Sequence, residues 1–379
     1  MDEAYLDNNA TTKLLPEVKE AMVKGLDQWF GNPSSKHRPG AISRRVIEDG
    51  RRTIADFIGA AHSSEILFTS SATESITQAF QSGCLAARQI VVTTSDHTAV
   101  LDAAARHEAS GIRCIRLPVT RNGALELDGL VGDVLTTKTF VSVTLVNNET
   151  GVVLEISRLA ALCRRYGALL HIDAAQAAGR VPINVMELDC DYMSLSPHKF
   201  HGPKGVGILY ARHEAPRASL ILGHQEFGLR GGTENVLGIA GAAAAMETLR
   251  EWRDDLPRIA ELRDRLERGI LGAVPGAEVN GSGSRRAANT SNIFLPRRDA
   301  AEIVAGLSRH GVYVSAGAAC STGGAPSHVI RAMGYGAERA NSSIRFSLSK
   351  LSTSREIDMA IQSVAKVYDA TLALAEQDS

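Results

Sequence analysis

Cysteine is scarce in this 379-residue chain: Cys84, Cys114, Cys163, Cys190 and Cys320 form an odd, scattered set of five. That is unlike the even, closely spaced framework of a disulfide-stapled secreted domain. Net charge is nearly absent, at -1, so the chain carries no electrostatic footprint for nucleic acid. No paired Cys or His spacing suggests a metal site. Long hydrophobic runs are also missing. The least polar stretch, Gly238 to Met246, is Ala/Gly-rich and too short to span a bilayer. The start, Met1-Asp2-Glu3-Ala4-Tyr5, is acidic and has no basic region followed by an apolar one. No signal peptide is expected from it, and a reducing cytoplasm is the expected compartment.

What is present is an ordinary globular composition, 44% hydrophobic and 22% charged. The length exceeds one core, so two domains are expected. Pro16 signals a helix with Val18, Met22, Leu26 and Phe30 at helical spacing, stopped by the turn cluster Gly31-Asn32-Pro33-Ser34-Ser35. A second helix, about Gly40 to Ile58, carries Ile47, Ile54 and Ile58 on one side and arginines on the other.

Strands and helices then alternate. The strands are expected at Ile66–Phe68, Ile90–Val92, Ile112–Leu117 (nearer an edge), Phe140–Val146, Leu169–Ile172, Tyr192–Leu195 and Val206–Tyr210. Mostly apolar strands in such alternation predict an α/β fold with a largely parallel sheet covered on both faces. After an Ala-rich helix, Thr233 to Trp252, the charged run Arg253-Asp254-Asp255-Leu256-Pro257 reads as a break. A smaller α/β domain is expected to begin near Asp254.

Several stretches could carry chemistry. Ser194-Leu195-Ser196-Pro197-His198-Lys199 places a lysine at a strand-to-loop junction, where it could hold a carbonyl cofactor as a Schiff base. A solvated loop lysine is the commoner fate. Ser70-Ser71-Ala72-Thr73 opens a helix, as simple capping or as an anion site. His97 follows a strand, to cap the next helix or to reach a ligand crevice. Asn148 lies in a polar run ending an apolar strand, as turn or ligand contact. Asp173 ends a buried strand, where an unpaired carboxylate is expensive; its partner is either a basic residue such as Arg180 or a protonated ring nitrogen. Thr233 follows a Gly-rich loop with Arg230, each with a structural or a phosphate-binding role open to it. Cys320, in Ser315-Ala316-Gly317-Ala318-Ala319-Cys320-Ser321-Thr322-Gly323-Gly324, sits among small residues, as a mobile nucleophile or an incidental thiol. Arg345, within a strand-like run, suits a carboxylate or an internal ion pair.

Read together, these stretches resemble the cysteine desulfurases that depend on pyridoxal 5′-phosphate, of the nitrogen-fixation and iron–sulfur-cluster type within the class V aminotransferase superfamily. The matching strings include YLDNNATT (Tyr5–Thr12), SATES (Ser71–Ser75), NNETG (Asn147–Gly151), HIDAAQ (His171–Gln176), SLSPHKFHGPKGVG (Ser194–Gly207), GTEN (Gly232–Asn235), ACSTG (Ala319–Gly323) and SIRFSL (Ser343–Leu348). They run in family order over nearly the whole chain.

The resemblance implies a fold-type I transferase and a homodimer. Residues 14–253 would form the cofactor-binding domain, and 1–13 with 254–379 the smaller domain carrying the cysteine. It implies that Lys199 holds the cofactor, Asp173 pairs with its ring nitrogen, Gln176 meets its ring oxygen and His97 stacks on it. Ala72, Thr73, Ser196, His198 and the partner subunit's Thr233 would hold the phosphate. Asn148 would lie beside cofactor and substrate, Arg345 would take the carboxylate of L-cysteine, and Cys320 would accept sulfur as a persulfide for an acceptor protein. Pro197 and an apparently shortened Cys320–Pro326 segment depart from the pattern. A selenocysteine lyase is the neighbouring reading. A non-catalytic relay subunit would need none of Lys199, Asp173, His97, Cys320 and Arg345.

Overall fold

The computed structural model describes residues 3–127, 134–317 and 326–375. β1 (Ala4–Tyr5), α1 (Pro16–Gln28) and α2 (Arg38–Ile58) precede the alternation. It runs β2 (Ile66–Thr69), α3 (Ala72–Gly83), β3 (Gln89–Thr93), α4 (Thr98–Ala109), β4 (Arg113–Leu117), β5 (Thr139–Thr144), α5 (Ser157–Tyr166), β6 (Leu169–Asp173), β7 (Tyr192–Leu195) and β8 (Gly207–Ala211). Then come α6 (Val236–Glu247), α7 (Trp252–Ala273), β9 (Glu278–Val279), β10 (Thr290–Phe294), α8 (Ala300–Arg309), β11 (Val312–Tyr313) and β12 (Ser315–Ala316). The chain closes with α9 (His328–Ala332), α10 (Ala337–Asn341), β13 (Ser343–Ser347) and α11 (Ser354–Ala375).

Seven strands form the central sheet in the order β2-β8-β7-β6-β5-β3-β4. The five from β7 to β4 are parallel, and β3, β5 and β7 are buried along their whole length. That two-sided burial is why they read as continuous apolar runs. β4 forms the edge, as its mixed composition implies. β8 is reversed, antiparallel to both β7 and β2. The cause is length: residues 196–206 hold a single 3-10 turn, Pro197–Lys199, and no crossover helix, so the chain returns beside β7 in the opposite direction.

Sheet growth changes direction between β3 and β5, which makes a crevice beyond the carboxyl ends of those strands. Asp96 staples this point. Its carboxylate accepts from the Thr93 N–H at 2.6 Å and the Thr144 N–H at 2.8 Å, so one buried side chain ties β3 to β5. Burial raises its pKa to about 6, against the pull of those two donors.

A second apolar cluster gathers Ala4 and Leu6 with residues from Ile259 to Tyr368, around the antiparallel sheet β12-β13-β10-β9 and the pair β1-β11. The amino-terminal strand thus belongs to the far end of the chain.

Some elements differ from expectation. The charged run at Arg253–Pro257 is no break but the start of α7. Asp254 and Asp255 favour a helix amino terminus, and Pro257 removes only one early hydrogen bond. The preceding helix is shorter than expected, because Asn235 caps it by accepting from the Gly238 N–H. On α1, Val18 packs inward but Leu26 is 63% exposed; the helix ends at Gln28, before Phe30, which is 76% exposed. On α2, one arginine lies on the apolar side: Arg51 falls four residues after Ile47 and is buried. It pairs bidentately with Glu226 at 2.8 and 2.9 Å and sits between the Phe68 and Phe227 rings. This pair holds down a loop in which Glu226 and Phe227 both have positive φ (46° and 61°).

Glu226→Ala removes the bidentate partner of the buried Arg51 guanidinium and leaves it only the half-exposed Glu48, at 3.4 Å. The variant is expected to lose about 3–5 kcal/mol of stability; a denaturation midpoint equal to wild type would refute this account of the loop.

Candidate active site at the sheet switch point

A cavity of about 210 Å³ opens at the carboxyl ends of β5, β6 and β7, and most of the singled-out residues line it. Lys199 enters from the 3-10 turn after β7. Its Nζ donates to the backbone carbonyls of Asn9 at 2.6 Å and Ala10 at 2.8 Å. Asp173, the last residue of β6, is buried and accepts from the Ala175 N–H at 3.0 Å. It makes no ion pair with Arg180, which turns to Gln176 and the Lys199 carbonyl instead. Burial raises the Asp173 carboxyl, opposed by the positive charge of His97 and Lys199. His97 caps α4: its Nδ1 accepts from the Ala99 N–H at 3.1 Å, so the neutral ring carries its proton on Nε2. Burial lowers its pKa, and Asp173 pulls the other way.

Gln176 donates from Nε2 to the Asn9 carbonyl at 2.9 Å. Asn148 accepts through its carbonyl from Arg345 Nη1 at 3.1 Å and from Asn9 Nδ2 at 3.1 Å. Its own Oδ1 is buried without a hydrogen-bond partner. Arg345, 1% exposed on β13, meets Asp7 at 2.7 Å while also lining the cavity. The internal ion pair open to it in the sequence is therefore present, and the residue also lines the cavity.

Ala72 and Thr73 begin α3, whose cap is Ser71. The start of this helix lies directly against β8. A Cβ on Gly207 would sit 2.3 Å from the Ser71 backbone, so only glycine permits the approach. Ser196 and His198 complete this wall. Burial and the nearby Lys199 and Lys204 push the His198 pKa down to about 4.

One expected site residue falls elsewhere. Thr233 lines a separate cavity of about 180 Å³ with Glu226 and Gly205, and Arg230 there pairs with Glu74 at 2.8 Å. Cys320 lies outside the described residues. Sequence reasoning gave no role to Asn9, Ala10, Asp7 and Thr144, which the structure brings to the site. The first three were visible only as part of the string YLDNNATT.

Beneath the cavity, one rung of hydrogen bonds crosses three strands. His171, two residues before Asp173, bonds through Nδ1 to Ser142 Oγ at 2.8 Å and through Nε2 to Ser194 Oγ at 2.9 Å. Complete burial drives its pKa down to about 3.

Comparisons with known proteins agree with this architecture. The family model described as "Aminotransferase class-V" matches residues 4–359. A cysteine desulfurase of Cereibacter sphaeroides is 44% identical over 99% of this chain and 98% of its own. Cysteine desulfurase NifS of Azotobacter vinelandii is 38% identical, over 97% and 93%. A solved NifS-like protein superposes with a TM-score of 0.90 at 34% identity, covering 97% of this chain and all of its own. The chain belongs to the class V aminotransferases and, within them, to the cysteine desulfurase family.

The His171 rung has a consequence for acid stability. With its folded pKa depressed, its contribution is complete above the unfolded value near 6.5 and is lost as pH falls toward about 3. Urea midpoints measured across that window should drop, and His171→Gln should flatten the slope by about one proton. An unchanged slope in the variant would assign the acid sensitivity to other groups.

Proposed function

We propose that the protein is a cysteine desulfurase: L-cysteine and the thiol of Cys320 give L-alanine and a Cys320 persulfide, which passes to an acceptor protein. The observation that carries this reading is the convergence of Lys199, Asp173, His97 and Arg345 on one cavity at the sheet's switch point.

The residues present fit pyridoxal 5′-phosphate. An amine at Lys199 suits its aldehyde, and a buried carboxylate at Asp173 suits a protonated ring nitrogen. The buried Asn148 Oδ1, on a residue of this wall, has no hydrogen-bond partner in the protein. Gln176 would serve the ring oxygen and His97 the ring face. The helix start at Ala72 and Thr73, with Ser196, His198 and the partner subunit's Thr233, would serve the phosphate. When bound, the cofactor supplies an electron sink that makes the substrate's α-proton removable.

The remaining chemistry belongs to the chain. Lys199 Nζ takes that proton and returns one, and Asp173 holds the proton on the ring nitrogen. Arg345 fixes the substrate carboxylate; Asp7 and the Asn148 carbonyl hold its guanidinium in place. Cys320 takes the sulfur as its thiolate.

The proposal extends to architecture. Of four apolar clusters among the described residues, the largest draws almost wholly on residues 15–252 and another on Ala4, Leu6 and residues 259–368. This supports a division into 14–253 and 1–13 plus 254–379, with Val119 packing across it on Val329, Ile330 and Met333. The exposed Leu26, Phe30 and Leu222 support burial in a homodimer, in which Thr233 would reach the partner's cavity. Among the described residues no helix is long and apolar enough to cross a membrane. We assign the enzyme to the cytoplasm, and its sulfur to iron–sulfur cluster assembly or thiolation.

Borohydride should trap the cofactor covalently on Lys199, read by mass spectrometry of the peptide; protein with no bound cofactor would sink the assignment. Cys320→Ala should keep the cofactor's visible absorbance while L-cysteine yields no persulfide, and full activity in that variant would mean another nucleophile.

A further inference from the structure

Arg180 is a buried guanidinium to which no carboxylate is paired among the described residues. Its hydrogen bonds go to the Gln176 carbonyl at 3.1 Å, to Gln176 Oε1, and to the Lys199 carbonyl at 3.1 Å. Burial, helped by the charge of Arg345, drives its pKa down to about 9. A buried cation balanced only by neutral oxygens is expensive, and its position explains what it does.

Arg180 does not line the main cavity. It lines a smaller one, about 50 Å³, behind Lys199, where His201, Asp255 and Lys350 are the other ionisable groups. Gln176 stands between the two spaces. On one side is a guanidinium, which only donates; on the other is the Asn9 carbonyl, which only accepts. These neighbours leave the amide one orientation, with Oε1 turned back to Arg180 and the –NH₂ group at the Asn9 side, on the main cavity wall. That group has a second hydrogen beyond the one given to Asn9.

We propose that Arg180 is a positioning residue: it holds the Gln176 oxygen out of the main cavity so that an N–H faces the cofactor's ring oxygen, and it pins the backbone of Lys199. The proposal rests on the role given to Gln176 above. An N–H donated to the ring oxygen stabilises that oxygen's anionic form and drains the charge that would retain a proton at the Lys199 nitrogen. Loss of Arg180 removes both the orientation and a nearby positive charge, so the proton is held to higher pH.

The test is a pH titration of the visible absorbance of cofactor-loaded, substrate-free enzyme in wild type, Arg180→Met, Gln176→Ala and the double variant. Each single change should raise the midpoint by about one pH unit. The double variant should shift no more than the larger single change, because Arg180 acts through Gln176. Arg180→Lys, still a donor-only cation, should titrate close to wild type. Should Arg180→Met fail to fold, Arg180→Gln, which can accept as well as donate, takes its place and should also raise the midpoint. A midpoint moved by Gln176→Ala but not by the Arg180 variant, or a double shift equal to the sum, overturns the proposal and leaves the Gln176 role standing. A midpoint that Gln176→Ala does not move overturns both.

Discussion

Asn9 uses every polar atom it has, and the rest of the site depends on it. Its N–H donates to Ser347 Oγ at 2.9 Å, and its side-chain nitrogen to the Asn148 carbonyl at 3.1 Å and Thr290 Oγ1 at 2.9 Å. Its carbonyl receives Lys199 and Gln176, and its Oδ1 receives Asn289 at 3.0 Å. A buried amide satisfied this completely has no second arrangement of comparable energy. Through it the loops after β5 and β7, the start of the chain, and strands β10 and β13 are fixed relative to one another. The cavity lies at that seam between the two apolar clusters.

This seam explains the charge distribution of the site. Cations are concentrated there, at Lys199, Arg180 and Arg345, and Arg345 is paired with Asp7. Asp173 faces the cavity from the opposite wall. The amine and guanidinium on its wall offer partners to an anionic occupant, and both a phosphate ester and an amino-acid carboxylate qualify.

The central sheet was legible because strands buried on both faces leave an unbroken apolar signal, and the strand ends marked His97, Asn148, Asp173 and Lys199 as neighbours. The reversal of β8 was not, since apolar strands look alike in either direction and only the short connection decides. Helical spacing on α1 could not separate Val18, which packs inside, from Leu26, which does not. Arg51 was hidden because its stabilisation comes from Glu226, 175 positions away. Asn9 and Ala10 were hidden for a different reason: they meet Lys199 and Gln176 through backbone carbonyls, which no residue type announces. The thiol expected to decide the reaction, Cys320, lies outside the described residues.

The pairing of the amino-terminal strand with the end of the chain also orders events during synthesis. Asn9 bonds to Ser347, and Arg345 to Asp7, across 338 positions in each case. The parallel sheet can condense once β8 has emerged, but residues 4–12 must wait, unpaired, until β13 has left the ribosome. Closing so long a loop is slow, and the exposed apolar residues Ala4 and Leu6 are the segment at risk meanwhile. A nascent chain stalled before residue 345 would carry a formed sheet and no completed pocket, so this fold withholds cofactor-ready geometry until the last strand is made.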